Sequence, residues 1–316
     1  MYESGLDIGE TEIIQQLSFP IRLIVLAVPA ASIALSMPAA HAGFSLDGGS
    51  SFAVLHEGNG GKQLQYNNSN MTGDVGIGGT GQAQLNGPGA INLDFSGTGN
   101  VATCSSPCGA VGGVTITGAI SSSMSAVSSA LTDLNSLSQT LGGETGTALT
   151  ISSGGSVNAS SGKLDNSGNE VFTLKAASSF QSGTFTINGN ASRTVVVSVP
   201  AAVRNFAFNG SLVLTGGLTS DQVLFNFDQG NNGTLSGGTT GTFLDPDGNI
   251  QINHSVLDGR IFGGGSQNSA IVSGANISFV PPVRSAPVPA GLTLLGMALA
   301  GIALALRRRW RRGRLP

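Results

Sequence analysis

Short apolar bursts, each about the length of one strand and each closed by Gly, Asn or Asp, recur along this chain and restrict it to a β-rich fold. In the first part they fall at 52–55, 75–77, 91–95 and 114–117. They return more regularly at 149–151, 171–174, 183–187, 194–199, 206–208, 212–214, 223–227, 250–252, 256–261, 270–272 and 277–279. Alternation within such a run buries every second side chain. Runs this short, at this spacing, fit successive rungs of a β-solenoid or a many-stranded sandwich, and the solenoid is the expectation.

One segment breaks the rhythm. Ile120, Met124, Val127, Leu131, Leu134, Leu137 and Leu141 recur every three or four positions, which predicts a long amphipathic α-helix over 119–141. The rest of that helix is nearly all Ser, Thr, Asn and Gln, so only docking its stripe alongside the β domain can hold it; Gly142 and Gly143 stop it. The expected fold is therefore mainly β, a solenoid-like domain with one helix packed alongside.

The two ends carry sorting information. Residues 23–35 are apolar and follow Arg22, and Ala40-His41-Ala42 supplies the small residues that signal peptidase reads, so cleavage is expected between Ala42 and Gly43, with 1–42 a signal peptide. At the other end, residues 290–306 hold no charge and would reach about 26 Å as a helix, enough to cross a bilayer core once. Arg307, Arg308, Arg309, Arg311 and Arg312 follow, and a basic cluster stays cytoplasmic. This predicts an exported domain over 43–280, a Pro-rich linker over 281–289, a transmembrane helix over 290–306 and a cytoplasmic tail over 307–316.

Residues 43–289 contain seven basic against thirteen acidic residues, a net charge of −6, with no basic patch interleaved with aromatics. Nucleic acid is thereby set aside as a partner. Cys104 and Cys108, in Cys-Ser-Ser-Pro-Cys, could form a disulfide in an oxidising compartment; a metal would need further soft ligands nearby.

The Pro287-Val288-Pro289-Ala290 motif, the single apolar helix and the Arg cluster together resemble the PEP-CTERM class of sorting signals, in its Val-Pro-Leu-Pro-Ala variant. The resemblance implies an exosortase-type processing enzyme as partner, besides signal peptidase, and a membrane-held intermediate on the way to the cell surface or the medium. Upstream, Gly73-Asp-Val-Gly-Ile77, Gly87-Pro-Gly89, the Leu-rich helix, Val223-Leu-Phe-Asn-Phe227 and the stretch from Gly241 to Gly263 resemble the choice-of-anchor A domain. A more distant similarity runs to ice-binding-like bacterial domains, which set a long helix beside a β-solenoid.

Candidate chemistry is sparse. His56 reads as a strand end, and His254 shares the parity of Ile250, Ile252 and Val256, so alternation would turn it inward. Asp221, Asp228, Asp245 and Asp247 are the candidate carboxylates for a glycosidase-like pair. Asp245-Pro-Asp247-Gly-Asn249 could take calcium, yet lacks the closing glutamate of an EF-hand and is equally a turn. Thr115/Thr117, Thr184/Thr186 and Thr240/Thr242 would place paired hydroxyls on one strand face. The expectation is a non-catalytic envelope or matrix protein without a cofactor, adhesive or structural, with extracellular polysaccharide a partner suited to extended faces. The alternative is a carbohydrate-active or ice-binding-like domain on the same scaffold.

Overall fold

Every residue of the strand Val223–Phe227 is buried, and its two sides are buried by different partners. Val223, Phe225 and Phe227 point into the interior of a coil of parallel strands. Leu224 packs under the helix Met124–Gly142 in a second apolar cluster. Asn226, on the helix side, accepts a hydrogen bond from the Ser138 hydroxyl at 2.7 Å and donates one to the Ser138 carbonyl at 3.0 Å. A strand covered on both sides reads as a continuous apolar run, as here and in Thr194–Val199.

The computed structural model describes residues 43–58, 63–91, 95–96, 109–117, 120–121, 124–175, 180–203, 205–228, 232–265 and 269–279. The signal segment with Ala40 and Ala42, the Cys104/Cys108 pair, the motif Pro287–Ala290, the apolar stretch 290–306 and the Arg cluster lie outside them. Among the described residues no helix is long and apolar enough to cross a membrane.

Parallel strands stack into a coil with three sides, and the expected β-solenoid is what forms. The helix side carries, in ladder order, Thr147–Leu149, Asn169–Leu174, Thr194–Val199, Val223–Phe227, Gly238–Asp245 and Val256–Gly263. The stack then continues with Phe52–His56, the strand nearest the start of the described chain, which pairs in parallel with both Val256–Gly263 and Asp74–Ile77. Both ends of the domain thus meet in mid-stack, and Val54 sits in register with Ile261. The interior is filled by Phe rings, among them Phe225 and Phe243, stacked with centroids 4.9 Å apart, and Phe180 against Phe208 at 4.9 Å.

The helix starts at Met124, later than the expected 119, because Ile120–Ser121 is a strand paired with Phe95–Ser96 and Ile120 is buried in the coil interior. Its spacing matched the helical stripe, but a β-branched residue also suits a rung. Val127, Ala130, Leu134 and Leu141 are buried against Val171, Val196, Leu224, Leu244 and Phe262. Phe44 and Leu46 join this cluster, and the Gly48 N–H donates to Asp133 Oδ2 on the helix at 3.2 Å. Leu134 is 2% exposed at the centre of the contact, so Leu134→Ala is expected to lower unfolding free energy by about 2–5 kcal/mol. Urea denaturation measures this; a loss below about 1 kcal/mol would mean the helix is not held by its stripe.

Candidate functional site

Among the described residues nothing covers two sides of the coil, and these differ in chemistry. The first, here called the hydroxyl face, is formed by Ser156–Asn158, Thr184–Asn188 and Ser211–Thr215 and continues across the first halves of Gly238–Asp245 and Val256–Gly263 to Asn276–Ser278 and Asn70–Thr72. The junction is close, with Thr240 Oγ1 3.5 Å from the Leu212 carbonyl oxygen. Phe185, Ile187, Leu212, Leu257 and Ile277 point inward, which turns their neighbours out. Ser156, Thr186 and Val213 stand in one row by ladder register, and Thr240, Asp258, Ser278 and Thr72 in another. Val213 and Val256 are exposed at 40% and 58%, so the face combines methyl groups with hydroxyls.

The second, here called the amide face, is the six-stranded sheet Asn205–Phe208, Asn232–Leu235, Asn249–Asn253, Ala270–Ser273, Gln63–Asn67 and Gln82–Asn86. None of these strands contains an Asp, Glu, Lys or Arg. Asn205, Asn232 and Asn249 align across three strands, and Gln251, on the same strand as Asn249, aligns with Ile271, Gln65 and Gln84 across the remaining three. The Asn232 amide donates to Asn205 Oδ1 at 3.2 Å and the Asn86 amide to Asn67 Oδ1 at 3.0 Å, which fixes the orientation of those groups. A shallow depression of about 340 Å³ opens between Asn205, Asn232, Asn249 and Gln251. Asn249 Oδ1 is buried there without a hydrogen-bond partner.

The four candidate aspartates are not gathered into one site. Asp221 accepts a hydrogen bond from Arg260 at 2.5 Å, and the Arg260 side chain, 2% exposed, lies 4.1 Å from the Phe279 ring centre. Burial lowers the proton affinity of Arg260, and the Asp221 charge and hydrogen bond oppose that. Asp228 and Asp247 line one groove of about 480 Å³ with Asn135, Ser138 and Gln139 of the helix. Asp245 is fully buried, and neither of its carboxyl oxygens has a hydrogen-bond partner. Burial foremost, then the Asp247 charge, pushes its pKa up to about 8, while the Gly248 N–H, near the carboxyl but outside hydrogen-bond geometry, opposes this. Pro246 to Gly248 form the turn between two strands, and among the described residues no three His, Cys, Asp or Glu side chains gather as a metal site.

His56 ends its strand as expected, fully buried, with Nδ1 3.2 Å from the Gly263 carbonyl oxygen. Gly263 stands in register between Asp245 and His56, so a residue without a side chain separates them. His254 does not turn inward. The strand ends at Asn253, the backbone at His254 is left-handed with φ 50°, and the side chain is exposed; this turn also shifts parity, so Leu257 is buried and Val256 faces out. Of the threonine pairs, Thr184 and Thr186 face out together and Thr115 and Thr117 are both exposed, whereas Thr242 is buried beyond the bend at Gly241. The amide strands Gln63–Asn67, Gln82–Asn86 and Asn232–Leu235 and the buried Arg260 went unnoticed in the sequence; the signal available was the alternation Gln-Leu-Gln-Tyr-Asn and Gln-Ala-Gln-Leu-Asn.

Similar folds occur among solved ice-binding proteins. One from the Antarctic ascomycete Antarctomyces psychrotrophicus superposes with TM-score 0.51 at 19% identity, over 75% of this chain and 98% of that one. One from an Antarctic Flavobacteriaceae bacterium gives TM-score 0.50 at 17% identity, over 77% of this chain and 48% of that one. A glycosylated ice-binding protein from Arctic yeast gives 0.50 at 15% identity, over 77% and 97%. No curated protein matches the chain by sequence. The family model of the ice-binding-like adhesive domain matches residues 37–273, three quarters of the sequence, and the chain therefore belongs to that family.

Proposed function

We propose that this is a non-catalytic adhesive domain of an exported protein and that it binds ice through its hydroxyl face. The observation that carries the reading is the row of outward Ser156, Thr186 and Val213 and the neighbouring row from Thr240, with Val256 exposed beside the second, each on strands held at about 4.8 Å by its own ladder. Methyl groups on a fixed lattice order water without binding it strongly, and the interspersed hydroxyls hold that water in register. Export by the leading segment and delivery to the surface by the C-terminal signal, the pairing that gives the choice-of-anchor A resemblance its sense, belong to the same reading.

Asp258 interrupts the row with a carboxylate. Partial burial raises its pKa, and the Asp221 charge adds to this, against the hydrogen bond from Ser220 at 3.5 Å. Ice affinity of a fluorescently labelled full-length chain tests the reading. Val213→Lys should reduce uptake on ice by roughly tenfold or more, the loss of about 1.4 kcal/mol of contact. Asp258→Thr, which removes a strongly hydrated charge from the row, should raise uptake. Equal exclusion of wild type and both variants from growing ice would refute ice as the ligand.

A further inference from the structure

We propose that the amide face is a second, separate binding surface, and that it takes a neutral, extended polysaccharide chain laid along the coil axis across the rungs. This does not depend on the ice reading, because it concerns a different side of the coil with different chemistry.

Charge comes first. Six adjoining strands without an ionisable Asp, Glu, Lys or Arg present a surface of zero formal charge on a domain that is otherwise acidic. A charged polymer would find no counter-charge there, and a neutral one loses nothing by the absence. Apolar partners are poorly served too, since the three large apolar side chains exposed among the described residues, Leu164, Val213 and Val256, all lie elsewhere. What the face does offer is side-chain amides, each with two donor hydrogens and an acceptor oxygen, and sugar hydroxyls also donate and accept.

Geometry then selects an extended chain. The rows run across strands about 4.8 Å apart, close to the length of one hexose in an extended β-linked polymer. The Asn232–Asn205 and Asn86–Asn67 hydrogen bonds orient these amides before any ligand arrives, so little side-chain entropy remains to be lost on binding. At one end of the face Asn205, Asn232, Asn249 and Gln251 line a shallow depression, a recess in which one sugar ring can sit against several amides.

The test is retention of the full-length chain on three insoluble neutral polymers, cellulose, chitin and curdlan, with the anionic polymer alginate beside them. Saturable binding to at least one neutral polymer, unchanged in molar salt and absent on alginate, is expected. Gln65→Lys should weaken it by roughly tenfold, the equivalent of one to two hydrogen bonds, while Val213→Lys should leave it intact. Should Gln65→Lys fail to fold, Gln84→Ser truncates an exposed side chain of the same row and reads the same effect. Three results would overturn the proposal. They are no retention on any neutral polymer, loss with Val213→Lys but not with the amide variants, or a dimer in solution that Gln65→Lys dissociates, which would make this face a contact between copies. Ice uptake by Gln65→Lys, measured in parallel, keeps failure here distinct from failure of the ice reading.

Discussion

Asp245→Asn is expected to make the protein more stable at pH 8 by several kcal/mol while leaving it nearly unchanged at pH 4. The Asp245 carboxyl is fully buried, neither oxygen is hydrogen-bonded, and its pKa stands at about 8 instead of 3.8. Between those values the native state keeps a proton that the unfolded chain releases, so the native state binds more protons and stability falls as pH rises. The stabilising share is complete below about pH 4 and is lost progressively up to about pH 8, at about 1.4 kcal/mol per tenfold difference in proton affinity. That amounts to about 4 kcal/mol by pH 7. An amide has the size of the neutral acid and does not titrate, so the variant should lack this slope. Urea denaturation at pH 4, 6 and 8 decides the matter: parallel profiles for wild type and Asp245→Asn would show that the carboxyl is solvated in the native state.

The same carboxyl bears on the calcium alternative. Asp247 adds its charge to a site where Asp245 is held protonated by burial, so the turn resists a second negative charge in the absence of any cation. The placement of Gly263 beside it leaves Asp245 without a neighbour in the ladder that could donate to its side chain.

The solenoid was legible in the sequence as rhythm and not as a repeat, for a definite reason. Val171 lies beside Val196, Val195 beside Val223 and Leu224 beside Thr242, steps of 25, 28 and 18 residues, so no fixed period exists to be found. The short helix Ser220–Gln222, with its Thr219/Gln222 capping box, fills a corner in one of the longer coils and accounts for part of the variation. The helix was legible because Val127, Leu131, Leu134 and Leu141 have only one partner surface. The amide face was not, because apolar and β-branched residues are what mark a strand in a sequence, whereas its strands show Gln and Asn outward over single inward residues such as Leu64 and Ala83. The return of Phe52–His56 to mid-stack could not be read at all, since register between residues some two hundred positions apart leaves no local trace.

Gly259→Ala is expected to be among the most damaging single-methyl additions in the domain. The strand Val256–Gly263 crosses from the hydroxyl face to the helix side at Gly259, where φ is +146°, a conformation that side chains rarely adopt. A Cβ at this position would overlap the carbonyl oxygen of Gly241, the residue at the same bend in the adjoining strand, and a backbone atom fixed in a ladder cannot move aside as a side chain could. Strain of about 1–3 kcal/mol and overpacking of about 1–3 kcal/mol should combine to about 4 kcal/mol. Gly154→Ala separates the two contributions, because there φ is +71° and an added Cβ would meet nothing within 4 Å. Its loss should be limited to the backbone term, about 1 kcal/mol. Equal destabilisation of the two variants in urea would mean that the bend is loose. In that case the row from Thr240 to Asp258 would lack the fixed spacing on which ordered binding by the hydroxyl face depends.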